Sequence, residues 1–101
     1  MGRSRRLITG SLRTALILRD GGCTFPGCDR PPAWCDGHHL RHWIDGGDTS
    51  LDNSALLCGH HHRLIHTDAW EIRLNATTRR PEIRRTYGLT APWRQNRVLR
   101  T

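Results

Sequence analysis

Two pairs of metal-ligand residues constrain this chain most. Cys23-Thr-Phe-Pro-Gly-Cys28 is a C-x4-C knuckle on a tight turn, and Cys58-Gly-His-His61 is a C-x2-H pair. Two such pairs, separated in sequence, are how a closed tetrahedral zinc site is assembled. The spacing predicts a structural zinc held by Cys23, Cys28, Cys58 and His61, with Cys35 as the alternative to His61. The chain has a use for such a staple. With 101 residues, of which 36% are hydrophobic, it lies near the lower end of what one core can stabilise. Structural zinc contributes its binding free energy to folding, on the order of 10 kcal/mol in small fingers. The N-terminus MGRSRRLITG lacks the apolar core of a secretion signal, and no run approaches the roughly 18 apolar residues of a membrane span. A cytoplasmic protein with no membrane contact is the expectation, and in that compartment cysteines bind metal more often than they pair.

The stretch Cys35 to His66 also holds all seven histidines, His38, His39, His42, His60, His61, His62 and His66. Histidine is the commonest metal ligand and the side chain best placed to move a proton near neutral pH. Gly59 to Thr67 suits a short helix, on which His62 and His66 at i and i+4 share one face. Ala33 to Leu40 suits a strand, where His38 and His39 point to opposite sides. The pattern predicts a catalytic divalent ion held by His38, His62 and His66, with His39 left to deprotonate water. Three neutral imidazoles with an open position describe a catalytic site rather than a structural one. A zinc finger built from Cys23, Cys28, His38 and His42 has a gap three residues too short and leaves the second histidine cluster unused. Trp43 and Trp70 read as core residues, because the chain has few other large apolar side chains.

Charge is distributed unevenly. All 16 basic residues are arginine; residues 1 to 19 carry five and no acid, residues 20 to 70 three against seven Asp, and residues 71 to 101 eight against two Glu. Basic flanks around a histidine-rich, locally acidic centre point to nucleic acid, since neutralised phosphates release counterions. The candidate phosphate contacts are Arg3, Arg5, Arg6, Arg41, Arg63, Arg79, Arg80, Arg84 and Arg85. Residues 1 to 8 read as a basic arm, 9 to 86 as the domain and 87 to 101 as a loose basic tail. A helix capped by Thr9 or Ser11 is expected through Arg19, with Leu12, Ala15, Leu16 and Leu18 or Arg19 on its apolar face. The Pro31-Pro32 corner forbids regular structure, and Ser54 to Cys58 fits a second short strand or a turn that carries Leu56 and Leu57 inward. Trp70 to Leu74 and Glu82 to Thr86 predict a C-terminal hairpin.

These residues resemble a known family. The order His38-His39, Asn53, His62 set among cysteine knuckles is similar to the HNH endonucleases, also called ββα-metal nucleases. The likeness is greatest to the actinobacterial form, through RDGGCTFPGCDRPPAWCDGHH, HW-x-x-GG-x-T-x-x-x-N and LLC-x-x-HH-x-x-x-H, and covers about Arg19 to Trp70. The resemblance implies an α+β, zinc-stapled ββα-metal fold, here with an N-terminal helix and a C-terminal β-hairpin. It implies cleavage of DNA, double-stranded DNA being the expected partner, to 5′-phosphate and 3′-hydroxyl ends with magnesium, manganese, nickel or zinc. His38 and His62 then match metal ligands, His66 an additional ligand, His39 the general base, and Asn53 the residue that holds hairpin and base in place. The second knuckle departs from the family pattern, being C-x2-H where many members have C-x2-C. A non-cleaving, zinc-stabilised nucleic-acid-binding module is the alternative reading.

Overall fold

The computed structural model describes residues 10–41, 46–47, 49–67, 69–86 and 91–97. The expectations for the arm at 1 to 8, for Arg3, Arg5 and Arg6, for Thr9 as a cap, and for His42 and Trp43 lie outside these residues. Among the described residues the fold is small and α+β, with two α-helices and two two-stranded antiparallel sheets. Helix α1 is Gly10–Asp20, strands β1 and β2 are Cys35–His39 and Ser54–Cys58, helix α2 is Gly59–Ile65, and strands β3 and β4 are Trp70–Leu74 and Pro81–Arg85.

The organising strand is β2, buried at all five positions of Ser-Ala-Leu-Leu-Cys. Alternation gives a strand with one wet face; a continuous apolar run needs cover on both. That cover comes from α1 and α2, both of which pack against β2, while β1 pairs along its edge. The core gathers Leu16, Leu56, Leu57, Ile65 and Ile83 with all four cysteines, and Trp70 packs against it. Each fully buried Leu or Ile contributes about 1.5–3 kcal/mol. So few large side chains cannot by themselves offset the ordering of a chain this long.

Helix α1 corrects part of the expected apolar face. Leu16 is buried and Leu12 and Ile17 pack beside it, whereas Leu18 is 82% exposed. Two residues advance a helix by about 200°, which carries Leu18 to the side opposite Leu16. Ser11 lies inside the helix rather than capping it. Arg19 is part of a buried ion pair, not of an apolar stripe. Its guanidinium meets both carboxylate oxygens of Asp20 at 2.6 and 3.0 Å and donates to the carbonyls of Leu51 and Ser54. Asp20 in turn accepts the Leu56 amide at 3.1 Å. A buried pair needs such complete satisfaction, and here it ties the end of α1 to the start of β2. Arg13 does the same for β1, donating to the carbonyls of Pro32 and Cys35 at 2.9 and 3.0 Å.

Three other boundaries move. Pro32–Trp34 forms a 3-10 turn after Pro31, because the fixed φ of proline suits the first position of a helical turn. Strand β4 begins at Pro81, one residue earlier than expected, with Ile72 opposite Ile83. The loose tail gives way over residues 91–97: Arg94 bridges Ile83 through two 2.9 Å backbone hydrogen bonds. The Trp93 ring there lies under the guanidinium groups of Arg73 and Arg84, at 4.1 and 4.5 Å. Among the described residues no helix is long and apolar enough to cross a membrane.

Candidate metal centres

The Cys23–Cys28 turn is pinned to β2 before any ligand is considered. Thr24 donates both its amide and its hydroxyl to the Leu56 carbonyl, at 2.9 and 2.8 Å, and the Cys28 amide closes the turn on Phe25. Gly27 sits at φ 86°, a conformation that side chains resist. From the other direction, β2 delivers Cys58 and the first turn of α2 delivers His61. The ligand atoms of Cys23, Cys28, Cys58 and His61 come together within 4.8 Å of one another. His61 Nδ1 is 3.5 Å from Cys23 Sγ and 3.3 Å from Cys58 Sγ. Tetrahedral zinc with normal bond lengths sets its ligand atoms about 3.3–3.8 Å apart, so this donor set fits a zinc ion. Cys35 lies opposite Cys58 in the β1–β2 register and is buried beside the group. Its thiol, however, lies against the Pro31 carbonyl at 3.4 Å, outside the set of four.

The chemistry of the thiols agrees with a site built for a cation. A hydrogen bond with the Cys35 thiol, followed by burial, pushes Cys23 well up, and burial pushes Cys28 up to about 11. Without a cation these groups hold their protons at neutral pH, and metal binding displaces them. Burial, with His60 and Arg30 adding to it, lowers His61, which favours the neutral imidazole a metal requires. Phe25 stacks on the His61 ring at 4.1 Å and 4°, fixing its orientation.

One residue outside the ligand set organises the knuckle. Asn96 donates to the carbonyls of both Cys23 and Cys28, at 2.8 and 2.7 Å, and accepts the Gly27 amide at 3.2 Å. A single carboxamide thus closes the knuckle from 68 residues away. In the sequence Asn96 stands in the polar run Arg94-Gln95-Asn96-Arg97, and nothing local says which backbone an asparagine there will meet.

The second group is His38, His62 and His66, whose ligand atoms also lie within 4.8 Å of one another. Strand alternation turns the buried His38 toward α2, whose i and i+4 positions bring up His62 and His66. Ring centroids are 5.0 to 5.4 Å apart. His66 caps the helix with φ −72° and ψ −9°, still helical, so the spacing survives although α2 ends at Ile65. Burial lowers His62, the neighbouring His66 adds to this, and Asp36 opposes it. His66 is exposed, and the site is open on that side.

His39 is not part of this group. Its Nε2 lies 3.0 Å from the Thr49 hydroxyl, a partner that sequence reading did not single out. Asn53 straps the chain on either side of the intervening loop. Its side chain accepts from the Arg41 amide at 2.9 Å and donates to the Arg41 carbonyl at 3.0 Å, while its backbone carbonyl accepts the Leu40 amide. Gly47 passes so close to this strap that a Cβ would meet the Arg41 carbonyl oxygen at 1.9 Å.

The expected phosphate contacts are spread over several elements. Arg41 and Arg63 are exposed, Arg63 on α2. Arg79 pairs with Asp52, Arg80 donates to the Arg19 carbonyl at 3.0 Å, and Arg84 pairs with Glu71 at 3.2 Å. Arg85 lies over the Trp70 ring at 5.0 Å.

No protein-family profile matches the chain, and no solved structure matches it. It is similar to the uncharacterized protein Rv1128c of Mycobacterium tuberculosis, with 36% identity over 73 residues that cover 72% of this chain and 16% of that protein. The uncharacterized protein Mb1179c of Mycobacterium bovis is 34% identical over 73 residues, with the same coverage. The chain thus spans about one-sixth of the length of the curated relatives it matches.

Proposed function

We propose that this chain is a metal-dependent DNA endonuclease of the HNH, or ββα-metal, type. The observation that carries the reading is the meeting of His38, His62 and His66, from a strand and the helix that follows its partner, at one metal-sized site. A divalent ion held there supplies Lewis-acid stabilisation of the charge that develops on phosphodiester oxygens. The remaining roles belong to the chain. His39, one residue from His38 and on the opposite strand face, takes the proton from the attacking water. With Nε2–H donated to the Thr49 hydroxyl, the ring receives that proton at Nδ1, and the same hydrogen bond holds the imidazolium that results. Asn53 and Gly47 fix the loop that carries Thr49. The Cys23–Cys28–Cys58–His61 site holds α2 in place, and exposed arginines hold backbone phosphates with little sequence preference.

The test is incubation of supercoiled plasmid with the zinc-loaded chain across magnesium, manganese, nickel and zinc, with EDTA as control. Nicked or linear product that depends on the ion is expected. His39→Ala lowers the rate by about 10²–10⁴-fold, the usual contribution of a general base, while metal content and melting temperature hold. Intact plasmid under every ion, with DNA still bound, favours the non-cleaving module instead.

A further inference from the structure

A third site, whose lining includes none of His38, His62 and His66, lies between the knuckle, the C-terminal hairpin and the 91–97 segment. A cleft of about 350 Å³ is walled by Phe25 and Trp70 and by Pro92, and Arg84, Arg85 and Arg94 line it, with no carboxylate lining it among the described residues. Phe25 meets Trp70 edge-on, with ring centroids 5.0 Å apart, and turns one face onto the zinc ligand His61. The volume is at the lower end of small-ligand pockets, which run from about 300 to 1,000 Å³. Aromatic walls with a cationic lining select a flat apolar group that carries negative charge.

The neighbouring cleft makes the distinction clear. It is larger, about 510 Å³, but Glu82 lines it beside Arg94 and Arg97. Burial pushes the Glu82 carboxyl up, yet hydrogen bonds from Asn75 and Arg73 outweigh this and hold it below the usual range. An ionised carboxylate disfavours a phosphate there.

We propose that the Phe25–Trp70 cleft binds one nucleotide of single-stranded nucleic acid, its base against the aromatic wall and its phosphate on Arg85 and Arg94. A paired duplex keeps its base faces stacked inside, whereas a single strand offers them to aromatic side chains. The inference rests on the nucleic-acid part of the proposed function but not on cleavage. It gives a nuclease a hold on a strand that is frayed, displaced or already cut.

The zinc-loaded full chain is titrated, with no divalent cation added, against a labelled oligothymidylate of about ten nucleotides, within the usual span of single-strand sites. An abasic strand of equal length and charge is the comparison. Stacking of one base predicts about tenfold or stronger preference for the oligothymidylate. Arg85→Glu with Arg94→Glu, both at exposed positions, is expected to weaken oligothymidylate binding by at least about tenfold. Equal affinity for the two strands overturns the proposal, as does binding by the double variant within about twofold of the parent. A chain that prefers the base-bearing strand but leaves plasmid intact keeps this cleft and loses the nuclease reading. A chain that cuts plasmid but does not discriminate between the strands loses only the cleft.

Discussion

His61 and His62 are consecutive on one short helix, yet they belong to different sites. His61 joins three buried cysteines against the core, under a stacked Phe25; His62 joins a buried and an exposed histidine on an open face. Adjacent helical residues diverge by about 100°, so a single turn of helix can serve two sites at once. The donors differ as much as the surroundings. Thiolates enclosed by the fold suit a closed tetrahedral ion that contributes to stability, and imidazoles open to solvent suit an ion that must meet a substrate. Position relative to the core and ligand type together distinguish the two groups.

That contrast is most severely tested at Cys58. Cys58→Ser is expected to unfold the chain, because binding free energy on the order of 10 kcal/mol is lost from a fold with a thin core. Circular dichroism and zinc content measure this together, and a well-folded, zinc-free variant would show that the knuckle is not structural. His66→Ala acts on the other side of the comparison. It should leave one tightly held zinc and a native melt while raising the divalent-ion concentration needed for cleavage by at least about tenfold, the scale on which site perturbations act. Loss of the tightly held zinc as well would merge the two sites into one.

Acidification separates them further. His62 is lowered from 6.5 in the folded chain, chiefly by burial. A lowered group adds stability above its unfolded pKa and loses it as pH falls through the folded value. The His62 contribution, read as the difference in melting temperature between the zinc-loaded chain and its His62→Gln variant, should therefore be constant above about pH 6.5 and diminish progressively beneath it. A cation at the histidine site should shift that fall to lower pH by opposing protonation. A difference that does not change with pH would assign the titration to another group. The smallest effect is expected at Asn96. Asn96→Ala removes three hydrogen bonds from the knuckle and should cost about 1–3 kcal/mol. It should also speed zinc loss to a chelator, with the histidine site's affinity for its ion unchanged; an unaltered release rate would leave the Asn96 contacts with no role in holding the metal.

Local spacing made much of this legible. The i, i+4 histidines, the strand alternation that divides His38 from His39 and the alternation of Trp70 to Leu74 are all short-range patterns. Arg19 falls on the expected apolar face by periodicity alone, which cannot distinguish an apolar stripe from a buried, paired guanidinium. Asn96 and Thr49 were invisible because an amide or a hydroxyl carries no sign of its distant partner.

By itself, then, the sequence determined the kinds of donor, their spacing and the elements that present them, because helix and strand periods are properties of the local backbone. Only the tertiary structure decided that His61 rather than Cys35 completes the metal-sized group with Cys23, Cys28 and Cys58, that Asn96 closes the knuckle, and that three arginines share a cleft with two aromatic rings. Those outcomes depend on which surfaces the core brings into contact, and side chains dozens of residues apart meet only once the apolar strand between them is covered on both faces.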